Sequence, residues 1–164
     1  AAMVSETVGN LGCELTFEPG RYLVGPAGVL MTQVIYAKEV ESRRFAIVDA
    51  AMNDLIRPAL YDAVHRIETV REPVTDTLLH DWDVVGPVCE TGDFLGKDRD
   101  LALQQGDLLA VMSAGAYGFV MASNYNSRGR PAEIMVDGDQ AHLIRRRETI
   151  EQLFESEALL PVRT

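Results

Sequence analysis

The stretch GPVCETGDFLG, residues 86–96, holds one of only two cysteines in the chain, with a glutamate directly after it. Glycines and a proline flank the pair, which puts a thiol and a carboxylate side by side on a bend. A free cysteine is by default a small buried hydrophobe. Cys89, however, falls at the end of an apolar run, where loops tend to carry function. Glu90 beside it is costly to bury without a cationic partner. A site that receives an ammonium group supplies that partner. A thiol is mostly protonated near neutral pH, so Cys89 can serve there as a proton donor.

Three other stretches have similar potential. In EPGRYLVG, residues 18–25, Glu18 is followed by a Pro19-Gly20 turn and then Arg21. Glycine lets a backbone N–H approach an anion closely, and arginine adds charge-assisted hydrogen bonds. A plain strand-ending turn with surface charges has the same text. In RPALY, residues 57–61, Pro58 biases Arg57 toward an extended conformation. If a short helix begins at Pro58, Arg57 and Tyr61 project from the same end of it. An arginine and a phenol together can hold a carboxylate; a solvated arginine and a packed tyrosine are the alternative. In GAYGFVMASNYN, residues 115–126, glycines flank Tyr117 and can present its ring from a bend. Tyr125 reads there as core or surface, and Asn124 and Asn126 as turn residues.

These stretches need elements to position them. Residues 13–18, CELTFE, have a strand's length and end at Pro19-Gly20. The text predicts strands at 29–40 and 44–50, joined as a hairpin, and further strands at 65–72, 81–88 and 108–114. A second hairpin spans 133–146, where Asp137-Gly138 suits a two-residue turn with positive φ at both central positions. Residues 147–157 place Ile150, Leu153 and Phe154 at helical spacing. Short strands with turn signals between them are the texture of a β-barrel or sandwich. The front end differs, since a lone helix–strand pair cannot bury its own faces. Residues 1–28 are therefore expected to be the last unit of something larger, and residues 29–164 a mainly β domain with a terminal helix.

Composition narrows the classes. A chain of 164 residues is one domain, or one domain plus a fragment of another. With 25 acidic against 15 basic residues, the net charge of -10 argues against a nucleic-acid backbone or an anionic membrane as partner. The run Arg145-Arg146-Arg147 reads as a solvated edge. Cys13 and Cys89 lie far apart and make no disulfide framework, and His65, His80 and His142 are scattered, so no metal site is expected. The start lacks the marks of a signal peptide, and no run of 18 apolar residues occurs. The expectation is a soluble, cytoplasmic chain with reduced thiols.

Each motif alone is weak, but their order is specific. EPGRYLV, RPALY, GPVCETGD and GAYGFVMASNYN, in that sequence, resemble the C-terminal part of the diaminopimelate decarboxylases. These belong to the fold-type III, pyridoxal-phosphate-dependent decarboxylases. The likeness runs from about residue 12 to about residue 160, with Thr91 where the family's CESGD has serine. It implies a two-domain enzyme that converts meso-diaminopimelate to L-lysine. A (β/α)8 barrel holds pyridoxal 5'-phosphate, and a C-terminal, Greek-key-like β-domain completes the site. The family's cofactor-bonding lysine lies on the barrel. Lys38 and Lys97 match no such motif, so the chain reads as a C-terminal fragment, inactive alone, that keeps a remnant of the last barrel unit.

The resemblance also implies roles. Glu18 would pair with the pyridine nitrogen. Pro19, Gly20 and Arg21 belong to the cofactor-binding motif. Arg21, Arg57 and Tyr61 would hold the substrate's distal carboxylate, and Glu90 its distal ammonium. Tyr117 would touch cofactor and substrate. Cys89 would donate the proton that replaces carbon dioxide. Cys89 and Glu90 would reach into the site of the other subunit of a homodimer. Two alternatives stay open: an ornithine- or arginine-type decarboxylase fragment, and a non-catalytic β-domain that only assembles.

Overall fold

The computed structural model describes residues 2–71 and 78–161. Its centre is a six-stranded sheet in the order β3-β6-β1-β2-β4-β5. The strands are β1 (Leu30–Val40), β2 (Arg43–Val48), β3 (Ile67–Thr69), β4 (His80–Val85), β5 (Phe94–Leu101) and β6 (Leu108–Val111). β1 and β2 form the expected hairpin, turning at Glu41 with φ 53°. β2 and β4 run parallel, and the chain between them visits the far edge of the sheet as β3. The two edge strands then curl together. Ile67 of β3 packs so closely on Gly96 of β5 that its Cδ1 lies 2.8 Å from where a Cβ would sit. The sheet is thus nearly closed into a barrel, which shields edges that would otherwise invite pairing.

Inside lie Val34, Val48, Leu55, Ile67, Trp82, Val84, Leu95, Leu109 and Val111, all buried. Each such side chain contributes roughly 1.5–3 kcal/mol on leaving water. Trp82 also satisfies its indole N–H, which donates to the carbonyl of Leu101 at 3.1 Å.

A separate two-stranded hairpin follows, β7 (Glu133–Asp137) with β8 (Gln140–Arg145). Its turn is one residue later than expected: Gly138 and Asp139 form the loop, and Gly138 alone carries the positive φ, 59°. A glycine at the first central position suits a type II′ turn rather than type I′.

Four helices are short: α1 (Ala2–Val8), α2 (Gly20–Val24), α3 (Arg57–Tyr61) and α4 (Ile150–Leu153). The expected terminal helix over 147–157 is only one turn. A capping box between Thr149 and Gln152 starts it, but Ile150 and Phe154 stay exposed, so no packed face extends it.

Other expectations need correction. Residues 13–18 form no strand; 14–19 have no regular structure, and Leu15 and Phe17 are exposed. None of the described strands pairs with this segment, and an unpaired strand has no ladder to hold it. The strand expected over 65–72 shrinks to β3, and Glu72 lies outside the described residues. β5 was not foreseen at all. Among the described residues no helix is long and apolar enough to cross a membrane.

Candidate active site

The bend that carries Cys89 is held from beneath by Asp93, which is 3% exposed. One oxygen of its carboxylate accepts the N–H of Val88 at 2.8 Å, within the bend. The other accepts the N–H of Met52 at 2.6 Å, in the loop that leads to α3. Gly86 closes the bend by donating to the carbonyl of Asp93 at 3.0 Å. A Cβ at Gly86 would lie 2.3 Å from the Asp93 carboxylate, so any larger residue there must displace that carboxylate from its hydrogen bonds. The motif thus folds around its own aspartate and leaves Cys89 and Glu90 exposed at the apex.

Glu90 is nevertheless fixed. One carboxylate oxygen accepts the N–H of Thr91 at 2.9 Å, and the other accepts the phenol O–H of Tyr125 at 3.1 Å. This contact pushes the Tyr125 phenol up, first through its hydrogen bond to the Glu90 carboxylate and then through that carboxylate's charge.

Pro58 in the first turn of α3 fits the preset φ of proline. The helix stops at Asp62, in the left-handed region at φ 51°. One turn suffices to bring Arg57 and Tyr61 to one side. The Arg57 guanidinium carbon lies 5.6 Å from the centre of the Tyr61 ring. It lies 5.8 Å from the centre of the Tyr117 ring. Tyr117 reaches it from a strained backbone, φ 58°, in the left-handed region that favours glycine. The residue after Tyr117 and Gly118 is Phe119, over whose ring lie the guanidinium groups of Arg145 and Arg130, at 4.4 Å and 5.3 Å.

The EPGR segment joins this cluster through backbone contact. Pro19 precedes α2, and its carbonyl accepts the N–H of Leu23 at 3.1 Å. Gly115 donates to the carbonyl of Gly25 at 3.1 Å, and a Cβ at Gly115 would sit 2.1 Å from the carbonyl oxygen of Val24. This close approach places α2 at the rim of the groove that Arg57 also lines. Together Arg21, Tyr22, Arg57, Tyr61 and buried His65 line one open groove of about 1060 Å³. His65 donates from Nδ1 to the carbonyl of Met112 at 2.8 Å.

The structure therefore gathers Arg21, Arg57, Tyr61 and Tyr117, and holds Cys89 and Glu90 apart on the bend, outside the lining of the groove. Glu18 lies in the irregular, exposed segment before α2, next to Pro19 and Gly20. Sequence reasoning missed Asp93, His65 and Tyr125. Gly-Asp at the close of a bend was a usable signal for Asp93. Nothing local joins Tyr125 to a glutamate 35 positions earlier.

The loop carrying Tyr125 is itself anchored. Arg128 donates to the Asn53 side chain at 2.8 Å and to the carbonyl of Asp49 at 2.6 Å. Asn124 donates to Glu148 at 2.7 Å, and Glu148 pairs with Arg130 through both its oxygens. The Arg130 guanidinium, its backbone N–H and Asn124 together lower the Glu148 carboxyl to about 2. Burial pushes Asp54 up, against the N–H of Ala51 and the charge of Arg128.

Comparison with known proteins matches this arrangement to one family. The model for the pyridoxal-dependent decarboxylase C-terminal sheet domain matches residues 21–115. A diaminopimelate decarboxylase of Pseudomonas fluorescens is 63% identical over 158 residues, covering 96% of this chain and 38% of the relative. A crystal structure from Aquifex aeolicus superposes with TM-score 0.83 at 46% identity, covering 94% of this chain and 38% of that one. The Helicobacter pylori diaminopimelate decarboxylase solved with L-lysine gives TM-score 0.78 at 44% identity, over 89% of this chain and 36% of that one. The chain thus spans well under half the length of these relatives. It belongs to the pyridoxal-dependent decarboxylases, whose C-terminal sheet domain it carries.

Proposed function

We propose that this chain is the C-terminal, substrate-binding and proton-donating part of a cytoplasmic diaminopimelate decarboxylase that releases carbon dioxide from meso-diaminopimelate to give L-lysine. The observation that carries the reading is that Arg21, Arg57 and Tyr61 line one groove, with the Tyr117 ring 5.8 Å from the Arg57 guanidinium carbon and a thiol and a carboxylate on a separate exposed bend.

Pyridoxal 5'-phosphate fits the residues present in part. The groove has the volume for it, Arg21 offers a cation for a phosphate, and Tyr117 sets an aromatic ring against Arg57. Glu18 is an exposed carboxylate of the kind that pairs with a pyridinium. No lysine joins them: Lys97 lies over the Phe94 ring at 4.5 Å, and neither it nor Lys38 lines the groove. The lysine that bonds the cofactor would come from a part of the enzyme outside these residues. When bound, the cofactor supplies the electron sink that lets carbon dioxide leave.

This chain's residues do the rest. Arg57 and Arg21 hold the distal carboxylate of the substrate, with Tyr61 beside them. Glu90 takes the distal ammonium. Cys89 gives its S–H proton to the α-carbon once carbon dioxide has gone, and the resulting thiolate is reprotonated from solvent. Arg57 left without its carboxylate would be a desolvated, unpaired charge, so a substrate lacking that group is rejected. In this reading Cys89 and Glu90, exposed on a bend outside the lining of the groove, serve the groove of a second copy in a homodimer.

The test uses the complete enzyme. Arg57→Ala should lower kcat/KM for the dicarboxylic diamine roughly 100-fold or more. Equal loss on ornithine or arginine would sink the carboxylate clamp. Cys89→Ala should cut kcat by about 10²–10⁴ while leaving substrate affinity nearly unchanged. Mixing Cys89→Ala and Arg57→Ala subunits should restore activity, because one site of the hybrid keeps both groups; no restoration would refute shared sites.

A further inference from the structure

Resting on the reading of Glu90 above, we propose that Tyr125 is a positioning residue for Glu90, and through it a determinant of selectivity for substrates with a second ammonium group. The phenol O–H donates to one carboxylate oxygen of Glu90 at 3.1 Å, while the N–H of Thr91 donates to the other at 2.9 Å. A carboxylate held at both oxygens has one orientation, yet it keeps lone pairs free for a ligand. Hydrogen bonds of this charge-assisted kind are stronger than neutral ones.

The partners of the pair are built to stay in place. Asp93 fixes the bend beneath Glu90. On the other side, Tyr125 opens a turn whose next two residues, Asn126 and Ser127, sit at φ 60° and 56°. That turn is pinned at both flanks. Ser123 donates to the carbonyl of Asn53 at 2.9 Å, and its hydroxyl accepts the N–H of Tyr125 at 3.3 Å. Arg128 locks onto Asn53 and Asp49, and Asn124 onto Glu148. Residues with strained backbone persist where the surroundings over-determine them. Here the strain and its anchors hold one phenol against one carboxylate that is otherwise exposed to solvent.

The test is a double-mutant cycle on the complete holoenzyme, with meso-diaminopimelate as substrate. Tyr125→Phe removes only the hydroxyl. It should raise KM about tenfold, the loss of one hydrogen bond to a charged group, with kcat held within about twofold. In the Glu90→Gln background the same change should cost less than about twofold. The inhibition constant of a dicarboxylate of the same length, lacking the distal ammonium, should not move in Tyr125→Phe. An unchanged KM, an equal loss in the Glu90→Gln background, or a matching loss for the dicarboxylate would each overturn the inference. If Glu90→Gln itself leaves KM unmoved while Tyr125→Phe raises it, the ammonium role of Glu90 falls, and this inference with it. A merely structural tyrosine would lower thermal stability and affect both ligands alike.

Discussion

Two motif-bearing regions of this molecule are held in opposite ways. The bend at 86–93 exposes its apex, but a buried carboxylate grips it from inside and ties it to the loop before α3. The segment at 13–24 is exposed throughout, has regular structure only from Gly20 on, and touches the rest through Gly25 and Gly115. The first region is organised by its own chain. The second is joined to the rest, among the described residues, through backbone hydrogen bonds of Gly115 to Gly25 and Ala114 to Gly28, just beyond it. A motif's legibility in sequence therefore says nothing about how firmly the fold holds it; that depends on whether one of its own residues is buried with partners.

The sharpest way to break this contrast is Asp93→Ala. It leaves two N–H groups, those of Val88 and Met52, without acceptors, at about 1–3 kcal/mol each. Denaturant unfolding should lose roughly 2–5 kcal/mol. A loss under about 0.5 kcal/mol would mean that the bend is not held by this carboxylate.

Glycine substitutions come next. Gly86→Ala drives a Cβ onto the Asp93 carboxylate and should cost about 1–3 kcal/mol. Gly20→Ala meets nothing within 4 Å, so it should be neutral or slightly stabilising in α2. Melting curves that moved equally for both would erase the difference between the regions.

A smaller effect concerns acid. The Glu148 carboxyl is lowered from 4.5 to about 2, so the tie it makes to Arg130 and Asn124 is fully present above pH 4.5. The contribution is lost as pH falls through about 2, because the folded form binds its proton less readily than the unfolded chain. Glu148→Gln should flatten the stability profile between those two values in thermal unfolding followed against pH. A profile that kept its slope would assign the acid response to other groups.

The smallest effect expected is from Phe17→Ser. This side chain is 61% exposed, and its removal should shift the stability of this chain by no more than about 0.5 kcal/mol. A larger loss would show that the 13–24 segment is more firmly held than its contacts indicate.

What the text of the chain revealed follows the same division. Arg21, Arg57, Tyr61 and Tyr117 were legible because each belongs to a short motif with its own turn chemistry, such as Arg57 before Pro58 and Tyr117 between glycines, whereas His65 has no such motif around it. The β1–β2 hairpin was legible from β-branched and aromatic content. β5 was not, because FLGKDRDL mixes a glycine with four charged residues, and its alternation breaks at Asp98, where φ is 52°. There the N–H of Asp98 leaves the ladder and donates to the Asp83 side chain at 3.0 Å. CELTFE erred the other way: strand-like residues with no neighbour among the described strands stay irregular. Tyr125 was illegible because its meaning lies in a carboxylate brought to it by the fold.

The backbone of Tyr117 pulls in two directions. Left-handed geometry costs a residue with a Cβ roughly 1–2 kcal/mol that glycine escapes. A library of the complete enzyme screened for heat tolerance should therefore drift toward glycine at position 117, while one screened for turnover should keep the aromatic ring. Comparing the two outcomes at this single codon would measure how much durability the protein forgoes to keep that ring beside Arg57.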